Sequence, residues 1–213
     1  MRIIFTMYVI RDTVSNVGNT SFNYLSFNFK FIVEVYFIVI KISITETDYF
    51  LPEDGMIAQK QFLDLLNNLT EVWICAFGFT LQPMFDELKK ADANGAKIHI
   101  LLDHSQEIGK AEAPKVQDLV SSLKHGDVTI TTAGVNSAQQ DQIWHWKGMV
   151  VLPNDGQEQY CWEGSTNFSA SAWFQGNSAR VFRSTLWAQT FITQFNLHRD
   201  WALKNEPQFQ IKP

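Results

Sequence analysis

The sequence predicts an α/β fold with a mixed, largely parallel β-sheet flanked by helices. Two apolar runs, residues 71–79 and 96–103, show no alternation and are typical of strands buried on both faces. Each is followed by a segment whose apolar residues recur at helical spacing, and a further strand ends at residue 132. Strands and helices that alternate in this way favour right-handed crossovers, which produce parallel strands covered by helices.

The first half of the predicted domain begins with a short strand, residues 45–50, and a turn, residues 51–55, whose Leu-Pro-Glu-Asp-Gly composition disfavours helix and strand. A helix with one apolar stripe follows, at Phe62, Leu65, Leu66 and Leu69. The run 71–79 is the next strand. A second helix is predicted from about Pro83 to Asn94, because proline suits a first helical turn and Gly95 suits the position after the last.

The second half starts with the strand 96–103 and a third helix, with its stripe at Val116, Leu119, Val120 and Leu123. We expect Gly126 to end that helix and residues 127–132 to form a strand. Beyond a polar loop, strands 143–152 and 159–163 flank Pro-Asn-Asp-Gly, which indicates a hairpin. A strand at 178–183 and a helix from about 186 to 203 complete the domain, the helix having its apolar stripe at Trp187, Phe191 and Phe195.

Length and composition limit the organisation of the chain. The 213 residues suffice for one sizeable core, so we predict one domain at 45–205, a C-terminal tail at 206–213 and an N-terminal extension at 1–44. Residues 29–44 of the extension favour one long strand or two paired strands, and residues 1–28 leave a flexible arm, an added strand and a mis-assigned start open. Within that extension, residues 29–44 carry three charges and fall short of the roughly 20 apolar residues that span a bilayer. No signal peptide is predicted.

Net charge and cysteine content bear on the function and on the cellular compartment of the protein. A net charge of -5 argues mildly against a non-specific nucleic-acid binder, although an active-site groove needs only a few cations. The two cysteines, Cys75 and Cys161, are not a disulfide framework and lie in predicted strands. They slightly favour a reducing compartment such as the cytoplasm.

The most informative pattern is the pair His145 and Lys147 followed by the run Gly164-Ser165-Thr166-Asn167. Residues two apart on a strand point to the same face, so both side chains of the pair are predicted to lie together. The hairpin then returns the chain to the glycine turn, which can present the Ser165 hydroxyl and the Asn167 amide beside the pair.

These residue types suit phosphodiester chemistry without a metal. A neutral imidazole can attack phosphorus and form a covalent intermediate, while Lys147 and the donors of Ser165 and Asn167 stabilise the non-bridging oxygens. A second acid must protonate the leaving oxygen, and a second histidine suits that role near neutral pH. The chain contains one such motif, so two chains would have to meet. No metal site is predicted, because no Cys/His cluster has ligand spacing.

With this motif the chain resembles the phospholipase D superfamily, whose signature is H-x-K-x4-D-x6-G-S-x-N. The resemblance covers roughly residues 45–203 and includes Tyr-Phe-Leu-Pro at 49–52, the segment 85–103 and the closing helix. Members with a single motif are homodimers with the site on the two-fold axis, and many are endonucleases that need no metal or cofactor.

The resemblance also implies roles for individual residues. One His145 is the nucleophile and its symmetry mate the acid, with Lys147, Ser165 and Asn167 completing the catalytic set. We expect the substrate-binding residues to be Gly164, Thr166, Asn177 and His104.

The sequence departs from the family pattern at two positions. Leu152 stands where the motif has its Asp, and Ala179 stands where related nucleases have an acidic residue that orients the histidine. Without a substitute the imidazole is held less well and is a weaker nucleophile. Glu163 and Asp141 are the two candidate substitutes.

The sequence leaves three functions open: a nuclease, a lipid phosphodiesterase that hydrolyses phospholipid or transfers its phosphatidyl group, and an inactive dimer that binds nucleic acid or acts as a scaffold. Aromatic residues crowd the motif, and they could stack bases of a single strand, contact lipid tails or fill a core and an interface. These residues are Trp144, Trp146, Trp162, Phe168, Trp173 and Phe174.

We interpret the two tryptophans beside His145 as core residues first. Among the other histidines, His99 is expected in the core or at an edge and His198 on a solvated helix face. His104 follows a strand at the end where α/β proteins build sites, and it lies either in the cleft or in a loop.

Overall fold

The structure, a computed structural model, describes residues 46–105, 109–110, 112–133, 143–154 and 156–211. The predicted extension 1–44 and the candidate Asp141 lie outside these residues. The described strands are β1 (Thr47–Phe50), β2 (Leu69–Ala76), β3 (Lys97–Asp103), β4 (Gly126–Thr131), β5 (Gly148–Pro153), β6 (Tyr160–Gly164) and β7 (Ser178–Arg183). The described α-helices are α1 (Gly55–Leu65), α2 (Gln82–Ala93), α3 (Ala113–Ser122) and α4 (Thr185–Asn205).

The seven strands form one mixed sheet in the order β1-β7-β6-β5-β2-β3-β4, which confirms the predicted α/β class. Its parallel part is smaller than predicted: β2, β3 and β4 are parallel neighbours, and the four other pairs are antiparallel. The division has a physical cause. Helical crossovers connect β2, β3 and β4, whereas the predicted hairpin connects β5 to β6 and reverses the chain.

Helices cover the two faces of the sheet unequally. Apolar residues of α1, α2 and α3 pack on one face around Phe62, Leu88 and Leu119, together with Ile74 and Ile100 from the central strands. Of the described α-helices, α4 packs on the opposite face and forms with it a second core, made of Trp73, Cys75, Leu101, Trp144, Val150, Cys161, Phe182, Ala188, Phe191 and Phe195. The central strands are therefore buried on both sides, as their uninterrupted apolar sequences predict.

Local sequence signals explain the helix ends. Pro83 lies in the first turn of α2, and Gly95 after its end has a φ of +89°, a conformation that favours glycine. Helix α4 begins after Ser184, whose hydroxyl oxygen accepts a hydrogen bond from the Trp187 amide at 3.2 Å. Buried Asp92 accepts the amides of Lys124 and His125 at 2.9 and 2.7 Å and holds the connection between α3 and β4.

The predicted C-terminal tail is attached to the sheet over its described part. The Gln210 side chain accepts a hydrogen bond from the amide of Ile130 at 3.0 Å and donates one to its carbonyl at 2.8 Å, and Glu206 accepts from Thr132. These side chains pair with the outer backbone of β4, so they cover an edge strand that would otherwise be open.

Two element boundaries differ from the prediction for the same reason. Leu69 belongs to β2 rather than to the stripe of α1, because α1 ends at Leu65 and Asn68 takes a positive φ of 62° between them. Gly126 begins β4 instead of ending α3, since the sheet register pairs it with Ile98. In both cases long-range strand pairing overrides a local signal.

Candidate active site

The candidate site lies where the carboxyl ends of β2 and β3 meet the start of β5. His145 and Lys147 belong to the extended segment just before β5, not to the strand itself as predicted. The pairing of β5 with β2 starts at Gly148 opposite Cys75, and β2 ends one residue later, so no partner strand remains for residues 143–147. This edge is where open α/β sheets commonly bind ligands.

Phe77, directly after β2, brings the pair together. Its ring centroid lies 4.7 Å from that of His145, and the Lys147 ammonium lies 5.3 Å above the same ring. The Lys147 Nζ also donates a hydrogen bond of 2.8 Å to the His145 carbonyl. Both side chains therefore lie on one side of the segment, as predicted, but the contact with Phe77 takes the place of strand pairing.

The electrostatics of the pair suit a nucleophile next to a cation. Lys147 is buried, and burial lowers the pKa of its ammonium to about 8, against a smaller raising effect of Asp103. Partial burial also lowers the pKa of His145, and the Lys147 charge adds to this effect while Asp103 opposes it. A lowered pKa keeps the imidazole neutral near pH 7, which is the form that attacks phosphorus.

Asp103, the last residue of β3, organises the start of this segment, and sequence reasoning did not identify that role. Its carboxylate is buried and accepts the Trp144 amide at 2.6 Å and the Ser105 amide at 2.9 Å. The bond to Trp144 holds the backbone immediately before His145. The sequence does contain a signal for this role, because Asp103 lies at the carboxyl end of a predicted parallel strand, where α/β proteins build their sites.

The run Gly164-Ser165-Thr166-Asn167 begins at the last residue of β6, and the chain bends at Ser165. A Cβ at Gly164 would collide with the carbonyl of Ser178, so only glycine fits between β6 and β7. Ser165 Oγ donates to Asn177 Oδ1 at 3.1 Å and accepts the Ser178 amide at 3.0 Å. Asn177 thus holds the hydroxyl that the motif presents.

The other two side chains of the run have different surroundings. Thr166 is fully buried, and its hydroxyl donates to the Ser178 carbonyl at 3.2 Å, so this side chain stabilises the run from inside. Asn167 Oδ1 accepts the Gly78 amide at 3.3 Å, and a Cβ at Gly78 would lie 3.0 Å from Asn167 Cγ. Since Gly78 follows Phe77, the same two residues join the run to His145 and Lys147.

A cavity of about 840 Å³ opens beside the pair, between α4 and the ends of β1, β5, β6 and β7. Gly148 lets α4 approach, because a Cβ there would lie 2.7 Å from the Phe191 ring. Trp146 lines the cavity and is 40% exposed, so the prediction of a core residue is wrong for Trp146 and right for Trp144. Both rings lie on the same side of the extended segment, with centroids 4.9 Å apart, but Trp144 belongs to the second core whereas Trp146 borders the cavity.

Charged side chains form the cavity rim around Arg180 of β7. The Arg180 guanidinium pairs with Asp48 of β1 and with Glu46, the residue before β1. The Glu163 carboxylate on β6 lies 3.8 Å from the same guanidinium. Glu163 is thus placed in the cavity, as a substitute carboxylate would be, but its described partner is Arg180 rather than His145.

The two departures from the motif lie in different places. Leu152 is near the far end of β5, opposite Glu71, and packs against the second core away from the cavity. Ala179 is buried in β7 and lines the cavity. The first departure therefore concerns the hairpin, and the second concerns the surroundings of His145.

The remaining histidines lie outside the cavity. The His104 ring packs against that of Phe209, with centroids 4.4 Å apart and planes tilted by 58°, and His104 does not line the cavity beside the pair. His198 is not solvated as expected: its ring packs 4.6 Å from Trp144, and burial lowers its pKa. His99 lies partly buried between Asp127 at 2.5 Å and Glu71 at 3.0 Å.

The described residues hold neither a metal-binding cluster nor a membrane-spanning helix. Within the described ranges, no cluster of three or more His, Cys, Asp and Glu side chains is arranged to hold a metal ion. None of the helices in that part of the chain combines the length and hydropathy needed to cross a bilayer.

Comparisons with known proteins identify the family of the chain and agree with its fold. The family described as "Cardiolipin synthase, PLD-like domain" matches residues 62–201, which is more than half of the chain. No curated protein matches the sequence.

Among solved structures, NucT from Helicobacter pylori superposes with a TM-score of 0.62 at 15% identity, covering 72% of this chain and 94% of NucT. Nuc from Salmonella typhimurium, described as a phospholipase D family member, gives a TM-score of 0.56 at 19% identity, with 72% and 93% covered. Polyphosphate kinase from Porphyromonas gingivalis gives a TM-score of 0.55 at 10% identity. The match covers 72% of this chain but only 26% of the kinase. The fold and the family match together establish that this chain belongs to the PLD-like domain family of the phospholipase D superfamily.

Proposed function

We propose that this chain is a metal-independent endonuclease that cleaves phosphodiesters through a phosphohistidine intermediate in a homodimer. The observation that carries the proposal is the contact of His145 and Lys147 with one ring, Phe77, while Asn167 is tied to the adjacent Gly78. His145 and Lys147 thereby line one cavity, and the adjacent residues Phe77 and Gly78 connect them to Asn167.

In the first step the neutral imidazole of His145 attacks phosphorus, and one phosphorus–oxygen ester bond breaks as a phosphorus–nitrogen bond forms. The leaving oxygen takes a proton from the protonated His145 of a second copy. Lys147 and Asn167 stabilise the non-bridging oxygens as negative charge builds on them.

In the second step the His145 of the second copy, now neutral, takes a proton from water as the water oxygen attacks phosphorus. The phosphorus–nitrogen bond breaks, its electron pair returns to the first imidazole, and a phosphate monoester leaves. Both rings then have their original protonation states, so the cycle consumes only water.

The second copy is proposed because one chain supplies one such histidine, and because exposed apolar residues adjoin the cavity. Phe50 lines the cavity and is 67% exposed, and Met56, Ile57 and Phe174 on neighbouring elements are exposed as well. Large apolar side chains left exposed on neighbouring elements favour an interface.

Nucleic acid is the substrate that the structural neighbours favour. The described domain covers almost the whole length of Nuc and NucT, so the likeness extends to a complete single-domain nuclease. It covers about a quarter of the polyphosphate kinase, which contains much more than this domain.

One observation favours a phospholipid substrate instead. The carboxylates of Glu46, Asp48 and Glu163 pair with Arg180 beside the cavity. With Lys147 included, these described residues have three negative charges and two positive ones. This excess of negative charge repels a polyanionic strand more than a zwitterionic lipid headgroup. Phospholipid hydrolysis or phosphatidyl transfer is therefore the second candidate.

One assay separates these functions. The purified protein is incubated in chelator with labelled single-stranded DNA, double-stranded DNA, RNA and phospholipid vesicles, beside His145→Ala. Nucleic-acid cleavage that the variant loses supports the nuclease, and headgroup release alone supports the lipid enzyme. Binding without turnover contradicts both. Sedimentation of a monomer at the assay concentration contradicts the shared site.

A further inference from the structure

Trp146 has surroundings that the proposed reaction does not explain. It lies between the nucleophile His145 and the cation Lys147 in sequence, and its ring borders the cavity that both line. Exposing a tryptophan costs free energy, because its large apolar surface remains in water. A tryptophan left exposed one residue from a reactive pair is a candidate contact for the substrate.

Other aromatic rings hold Trp146 in place. Its ring lies 4.9 Å from that of buried Trp144 and 5.9 Å from that of Phe191, at interplanar angles of 32° and 33°. His198 approaches its ring at 6.2 Å, edge to face. A side chain packed against three rings loses little further conformational entropy when a ligand covers its free face, and this favours binding.

The aromatic wall continues beyond Trp146 along α4. Trp187 stacks on Phe191 at 5.1 Å and 19°, and both residues line the cavity. The cavity therefore has a cationic corner, where Lys147 and His145 lie, and an aromatic wall that starts at the adjacent residue. This combination matches a phosphate linked to a flat aromatic group, which is the chemistry of a nucleotide.

We propose that Trp146 is the platform on which an unpaired nucleobase beside the scissile phosphate stacks, and that the site thereby selects single-stranded nucleic acid. The inference rests on the proposed nuclease function and specifies its substrate. Bases in a duplex are stacked on each other, and they expose a face only after costly unstacking. A single strand offers that face at once.

Binding is measured by fluorescence anisotropy in the His145→Ala background, so that the probe is not cut. The probes are labelled oligothymidylate, an abasic oligonucleotide of the same length and a duplex of that length. The variants are Trp146→Ala and Trp146→Phe. Trp201→Ala is the matched control, because Trp201 is partly buried on the same helix as Phe191 but does not line the cavity.

We expect Trp146→Ala to weaken oligothymidylate binding about tenfold, the typical effect of removing one base–aromatic stack. Binding of the abasic oligonucleotide should not change, because it has phosphates and no bases. Trp146→Phe should restore most of the loss, and Trp201→Ala should bind as the parent does. The parent should prefer oligothymidylate to both other probes.

Two results would overturn the inference while the nuclease proposal stands: equal weakening of abasic and base-containing probes by Trp146→Ala, or a parent protein that prefers the duplex. A loss of dimer on sedimentation of Trp146→Ala with unchanged base preference would assign the residue to the interface and also overturn it. No binding of any nucleic-acid probe, with binding of phosphatidylcholine vesicles, would reject both the inference and the nuclease.

Discussion

The Asp103 carboxylate accepts a hydrogen bond of 2.6 Å from the backbone amide of Trp144. This bond joins the end of β3 to the residue before His145, across 41 positions of sequence. A hydrogen bond from a backbone amide to a charged carboxylate is stronger than one to a neutral acceptor, and the Asp103 side chain is buried. Asp103 therefore positions the backbone immediately before His145, and its charge also opposes the lowering of the His145 pKa.

We expect Asp103→Asn to reduce cleavage about tenfold and to lower the pKa of His145 further. The amide retains one acceptor oxygen but loses the charge, so one backbone amide loses its partner and the imidazolium loses its nearest described stabilising carboxylate. The pKa is followed by NMR titration of the His145 ring, a measurement that requires no turnover.

Asp92→Asn is the matched control for this variant. Asp92 is equally buried and also accepts two backbone amides, but those amides belong to Lys124 and His125. The control should cost similar stability without altering the titration of His145. Equal His145 titration curves in the two variants would show that Asp103 has only a structural role.

The charge of Lys147 should make phosphate binding depend on pH. Since its pKa is lowered to about 8, the ammonium is cationic below that pH and neutral above it. In the His145→Ala background, oligonucleotide affinity should therefore fall about tenfold between pH 7 and pH 9.5, the effect of one lost charge-assisted contact. Binding titrations at constant ionic strength measure this.

Lys147→Arg supplies the control, because a guanidinium keeps its charge over this whole range. The oligonucleotide affinity of this variant should stay constant up to pH 9.5, even if the geometry of the guanidinium weakens binding at pH 7. A decline as steep as in the parent would assign the pH dependence to another group.

Gly78→Ala should lower the cleavage rate about a hundredfold, the usual cost of removing one donor that stabilises the transition state. The added Cβ would lie 3.0 Å from Asn167 Cγ, so the amide must move away from the pair. Gly176→Ala is the control, since no atom lies within 4 Å of its Cβ position. Steady-state kinetics should show the loss in kcat, with little change in thermal stability.

His99 should contribute stability that depends on pH in a defined direction. Burial alone would lower its pKa, but the hydrogen bonds and charges of Asp127 and Glu71 outweigh burial and raise it. A raised folded-state pKa means that the stabilisation is present below the unfolded pKa and is lost as pH rises through the folded pKa.

His99→Gln should accordingly lower the free energy of unfolding more at pH 6 than at pH 9. Urea unfolding at the two pH values measures the difference, and the exposed His125→Gln serves as the reference variant. An equal loss at both values would mean that the proton on His99 contributes nothing to stability.

Much of the fold was predictable because local patterns and tertiary structure agree. The strand Ser178–Arg183 lies within the predicted bounds, and α2 begins and ends within one residue of its predicted limits, because proline and Gly95 act through backbone conformation alone. The extent of the parallel part was overestimated, since the pairing of β5 with β2 is a long-range choice that alternation cannot encode.

The sequence by itself determined the family and the residues proposed to carry the chemistry. His145, Lys147, Ser165 and Asn167 are recognisable because residue type and spacing decide what a side chain can do. Only the tertiary structure decided how they are held: Phe77 and Gly78 connect the two parts of the motif, and Asp103 holds the backbone immediately before His145. It also decided that Trp144 is buried while Trp146 borders the cavity. The reason is physical, because contacts between distant segments depend on sheet register and helix packing, which no local pattern contains.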